Sequence, residues 1–162
     1  MTVKITKDRL PDLLKAIRDL TSKEVLVGIP DTAAGRDGDG PISNAEIGYL
    51  METGSPSQNI PERPHLVPGV QVAREKIERR MKAGAEAALS GKSADIDATL
   101  TAVGITAENA VKAKITEGPF AALSPKTLAK RRAKGRTGEK PLIDTGQYRR
   151  TITHVVRKKS ER

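Results

Sequence analysis

Asp144, Thr145 and Gly146 form the triplet that surrounds the carboxylate of an aspartic-protease dyad, where two such acids share one proton. The triplet occurs once, its flanks are charged, and the partner carboxylate would have to come from another copy of the chain. A simpler use of the same residues is structural: Asp144 caps a turn beginning at "TGQYRR", completed by Thr145 and Gly146. His65 and His154 have no acid or second histidine at ligand spacing, so no metal site is expected of them. The Gly/Asp stretch "DTAAGRDGDGP" lacks the chelating spacing and closing Glu of a calcium loop. Neither "GRDGDG" nor "AKGRTGEK" has the pattern of a phosphate loop. The chain contains no cysteine, which removes disulfides, thiolate metal ligands and cysteine nucleophiles together. With no activated nucleophile, paired carboxylate or cofactor loop, the expected function is non-enzymatic, with no cofactor and no metal.

Charge is the stronger signal. Between Pro119 and Arg162 there are 13 basic and 3 acidic residues, while the preceding part carries 16 and 17, so the net charge of +9 resides in the last quarter. Within it, Lys130, Arg131, Arg132, Lys134 and Arg136 fall inside seven positions. Five neighbouring cations wrap around a helix of 3.6 residues per turn and suit a diffuse contact, with either an acidic protein surface or phosphate. Base reading usually mixes Asn and Gln with Arg along one edge, which this stretch does not do. Tyr49, Phe120 and Tyr148 are the only aromatic residues, too few for a base-stacking platform.

The elements that must position these residues follow from periodicity. Leu10, Leu13, Leu14, Ile17 and Leu20 recur at helical spacing, and "KEVLVGIP" then reads as a buried strand. The loop over about residues 31–42 is expected to be mobile. Ser43 and Glu46 fit a capping box that opens a short helix ending at Gly54. "SPSQNIPERPHLVP", with four prolines, is expected to run as an extended connector. One long helix is expected from near Pro68 to Ala88, and a second from about Ala94 to Ile115, weakened slightly by Gly104. Ser124 and Pro125 open a basic helix that Gly135 ends, and "TITHVV" closes the pattern as a strand. The predicted fold class is α+β: a single domain over residues 1–162, with a small antiparallel sheet packed on two long helices, short rim helices, long loops and a basic segment at 119–162. No apolar run is long enough to span a bilayer and no signal-peptide pattern opens the chain, so a soluble protein without membrane contact is expected.

Four stretches in order, "VLVGIP", "NAEIGYLMETGSPSQNIPERPHLVPGV", "LSPKTLAKRRAKG" and "PLIDTGQYRRTITHVV", resemble the virion-morphogenesis or tail-completion proteins of long-tailed bacteriophages, including the Mu-like group. The resemblance covers roughly residues 24–157 and lies in the order and spacing of these landmarks. The chain differs from the pattern at His65, where Phe is common, and at Tyr148, where Leu is usual. The resemblance implies a structural virion protein of the neck, assembled in the host cytoplasm, that completes the tail and joins it to the head. Its implied partners are copies of itself in a sixfold ring, a tail-terminator or tail-tube protein, a head-completion protein, and passing DNA by non-specific contact. On this reading Pro61, Arg63 and Pro64 hold an arm that crosses to a neighbour. Lys130, Arg131, Arg132, Lys134, Arg136, Arg149 and Arg150 then serve partner contact. A small DNA-binding protein acting through residues 125–136 is the alternative.

Overall fold

The computed structural model describes residues 10–30, 42–90 and 96–159; the loop expected at 31–42 lies almost wholly outside them. The architecture is α+β, with seven helices and one two-stranded antiparallel sheet among the described residues. Helix α1 spans Leu10–Thr21 and leads directly into strand β1, Lys23–Gly28. Helix α2 follows at Asn44–Thr53 with its capping box formed as read: Glu46 N donates to Ser43 Oγ, and Ser43 N donates to Glu46 Oε2. Among the described residues no helix is long and apolar enough to cross a membrane.

The proline-rich connector departs from expectation. It holds a 3-10 turn at Pro56–Gln58, Asn59 in the left-handed region, and a bridge between Ser55 and Ile60, so it folds back on itself and does not extend. The first long helix starts earlier, at Leu66, and is two helices: α3, Leu66–Val72, and α4, Arg74–Leu89. They meet at Ala73, whose N–H bonds the carbonyl three residues back, at Val70, a tighter turn than the α-helix on either side.

Helix α5, Ile96–Glu117, is the axis of the fold and buries Leu100, Val103, Gly104, Ala107, Val111 and Ile115. Helices α3 and α4 and both strands pack against it. Gly104, weak by propensity, is needed there because the His154 ring lies where a Cβ would stand. Helix α6 spans Pro125–Ala133, with Ser124 Oγ accepting the Thr127 amide. Helix α7, Gln147–Thr151, delays strand β2 to Thr153–Lys158, two residues later than the apolar run suggested. β1 and β2 pair antiparallel with Leu26 opposite Val155, and Glu24 opposite Arg157 adds an ion pair at 2.9 Å. The core centres on Val111, Ile115, Tyr148 and Ile152, surrounded by Val27, Ile29, Ile47, Leu66, Val70, Leu142 and Ile143. Each such side chain, fully buried, contributes roughly 1.5–3 kcal/mol.

Candidate partner-binding site

Two loops that flank this core carry most of the residues singled out by sequence, and buried polar contacts join them. The guanidinium of Arg63 is almost fully buried: Nε donates to Ala121 O and Nη2 to Ala122 O, each at 2.9 Å, and Nη1 donates to Pro61 O. Arg63 N also donates to Met51 O. The Arg63 side chain therefore faces its own chain and not a neighbour: two of its donors close the connector onto residues 121–122, and Nη1 turns to Pro61 O and Met51 Sδ. The physical reason is that the guanidinium is itself buried and must find acceptors, and the carbonyls of Ala121 and Ala122, which precede α6 outside any helix or strand, are free to supply them. Pro64 stays exposed and Pro61 edges the cleft described below.

The neighbouring His65 is completely buried. Its Nδ1 lies 2.8 Å from Arg63 O, an acceptor, so Nδ1 carries the proton and Nε2 accepts from the Tyr148 hydroxyl at 2.5 Å. Burial lowers the proton affinity of the ring, although the Arg63 carbonyl and the Glu52 carboxylate pull the other way. Burial, with the Glu52 charge, pushes the Tyr148 hydroxyl well above the usual phenol range. Glu52, at the end of α2, accepts the amides of His65 and Leu66 on Oε2 and that of Val67 on Oε1, and so caps the start of α3 from 13 to 15 residues away. Burial works against that carboxylate, but the three amides and the His65 ring outweigh it and hold its pKa below the ordinary value. Sequence reading missed this role. A signal existed, since an acid in the last turn of a helix opposes the helix dipole and calls for another partner.

Asp144 does not cap α7. The N-cap residue is Gly146, with φ at +77°, which glycine adopts without strain, and the only side-chain help is Thr145 Oγ1 accepting Gln147 N at 3.3 Å. The Asp144 carboxylate instead receives Arg136 Nη1 at 2.5 Å and stands 3.5 Å from Arg131 Nε. Arg131 Nη1 donates to the carbonyls of Gly138, Lys140 and Ile143. These bonds turn Arg131 from a displayed charge into the clamp that folds the loop after α6 back onto the helix.

Between these two assemblies runs a cleft of about 880 Å³. Ile47, Met51, Ile60, Leu123 and Leu142 make it apolar, and the cations lining it are Arg63, Lys130, Arg131, Lys134 and Arg136 against one acid, Asp144. The structure thus brings together Arg63, Lys130, Arg131, Lys134, Arg136 and the Asp144–Gly146 turn. It leaves Pro64, Arg132, Arg149 and Arg150 outside the cleft. Arg132 pairs with Glu139 at 3.2 Å, and Arg149 Nε donates to Lys112 O. Among the described residues Lys130 and Lys134 are exposed and make no ion pair, so the open charge of the cleft is theirs. Among the described residues no group of three His, Asp or Glu side chains is placed to hold a metal ion. Chemically the cleft offers an apolar floor and a cationic rim. In comparisons with protein-family models, curated proteins and solved structures, nothing matches this chain.

Proposed function

We propose that this chain is a structural, non-enzymatic virion protein of a long-tailed phage neck, which completes the tail and joins it to the head as one subunit of a ring. The observation that carries the assembly part is the apolar surface left uncovered on the single chain. Leu10, Leu13, Leu14 and Ile17 of α1 are 36–57% exposed along one stripe, and neither α1 nor α4 has a fully buried residue. A contiguous exposed apolar stripe on a soluble protein marks a contact surface. In a closed ring each copy offers one such surface to the next, and six copies match the resembled family. The neck itself is inferred from the four landmark stretches and their order. The ring stacks on a tail-terminator or tail-tube protein and presents its other face to a head-completion protein, within the virion.

The alternative, DNA binding through residues 125–136, loses support from the geometry of α6. Arg131, Arg132 and Arg136 are engaged within the chain, which leaves two of the five clustered cations open. Contact with passing DNA is then non-specific and salt-sensitive.

Light scattering of the purified protein, alone and mixed with phage tail tubes that lack a neck, followed by electron microscopy, tests the proposal. Rings or monomers seated on one end of the tubes are the expected result. A protein that ignores tubes but shifts generic duplex DNA at moderate salt overturns it.

A further inference from the structure

We infer that the cleft between α2 and α6 is a docking groove for an acidic, apolar peptide segment of a different protein. The inference goes beyond the neck reading and does not depend on it, because it stands on the lining of the cleft alone.

Three observations on one surface point to this occupant. The lining is five cations to one acid, and the one acid, Asp144, is already engaged by Arg131 and Arg136. What remains open on the rim is the pair Lys130 and Lys134, one turn apart at the end of α6, where the helix dipole adds negative rather than positive potential and so does not repel them. The floor is aliphatic, from Ile47, Met51, Ile60, Leu123 and Leu142, and Tyr148 beneath it is buried with its hydroxyl given to His65. A phosphate backbone would meet the lysines but gain nothing from that floor, and no exposed ring in the cleft can stack a base. A peptide that alternates carboxylates with aliphatic side chains uses both: the aliphatic groups leave water in the cleft and the carboxylates face the two lysines.

The groove is rigidly built for this. Its wall on the connector side is held by Arg63 on Ala121 O and Ala122 O, and its opposite wall by Arg131 on Gly138 O, Lys140 O and Ile143 O. Each clamp is a cation satisfying several carbonyls at once, so the floor is preformed and little ordering remains at docking.

Fluorescence polarisation with labelled peptides in which Glu is combined with Leu, in alternating and helix-period patterns, tests the inference on the full chain. Lys-Leu peptides of equal length and a duplex DNA are the comparison probes. Glu-Leu peptides are expected to bind and Lys-Leu peptides are not. Lys130→Glu/Lys134→Glu should weaken binding by about tenfold or more, since it sets like charges face to face. Leu123→Ser should weaken it separately, and an unchanged circular-dichroism spectrum and melting curve exclude unfolding as the cause. Three results each overturn the inference: no Glu-Leu peptide binds, binding ignores both variants, or duplex DNA binds more tightly through the same lysines with Leu123→Ser having no effect. Tail-tube decoration by the Lys130→Glu/Lys134→Glu variant separates the two proposals, because a ring that still seats on tubes while losing the peptide fails neither.

Discussion

The hydroxyl of Tyr148 donates to Nε2 of the buried His65 at 2.5 Å, across 83 residues of sequence, with the two rings edge to face at 5.5 Å. The two side chains are one feature: a buried polar pair whose members satisfy each other.

Replacing both members of the pair should cost less than the two single replacements added together. Tyr148→Phe leaves His65 Nε2 buried without a donor and is expected to lose about 1–3 kcal/mol, and His65→Phe strands the Tyr148 hydroxyl with a similar loss. The double variant His65→Phe/Tyr148→Phe should lose clearly less than the sum of the two single losses, the remainder being the Arg63 carbonyl left without its His65 donor. Urea denaturation of the four proteins checks this; additive losses would disprove the pairing.

Acid should destabilise the fold in two stages. An unfolded chain protonates His65 below about pH 6.5, whereas burial keeps the folded ring neutral, so the unfolded state binds more protons there and stability declines as pH falls from that point. The Glu52 carboxylate, held below its ordinary value by the amides of α3, adds a second loss lower down as it takes up a proton. Melting temperature followed against pH should show both, and the double variant should lack the first.

Arg63→Lys should destabilise the protein by about 2 kcal/mol, because a single ammonium does not reproduce the forked contact with Ala121 O and Ala122 O, and charged hydrogen bonds are worth roughly 1.5–3 kcal/mol each. Chemical denaturation reads the loss. A neutral result would show that the guanidinium is dispensable to the closure of the connector.

Asp144→Ala should lower stability by about 1 kcal/mol through the lost ion-pair network with Arg131 and Arg136, a loss similar in size to that of a helix cap, so the magnitude alone does not identify the cause. A double-mutant cycle with Arg131→Ala distinguishes the two causes. Coupling is expected; strict additivity would return Asp144 to the role of a cap.

Gly69→Ala should be destabilising by about 2 kcal/mol, although alanine favours a helix over glycine by nearly 1 kcal/mol. A Cβ at that position would stand 2.7 Å from Val111 Cα, so α3 would have to lift from α5. Thermal unfolding gives the sign directly.

What sequence alone determined is what neighbours in the chain decide. The capping box at Ser43, the Ser124–Pro125 start of α6 and the periodicity of α5 each satisfy their backbone within a few residues, so their residue types announced them; β1 and β2 were announced by their β-branched residues, but their backbones are satisfied only by each other, from opposite ends of the chain. Tertiary structure decided every role that needs a distant partner. Arg63, buried, found its acceptors in the carbonyls at 121 and 122, and Glu52 capped a helix that begins 14 residues later. Arg131 left the surface to close the loop over 138–143, and Asp144 followed it away from α7. A buried polar group is satisfied by whatever the fold brings within about 3 Å, and that distance is set by packing along α5, not by spacing in the sequence.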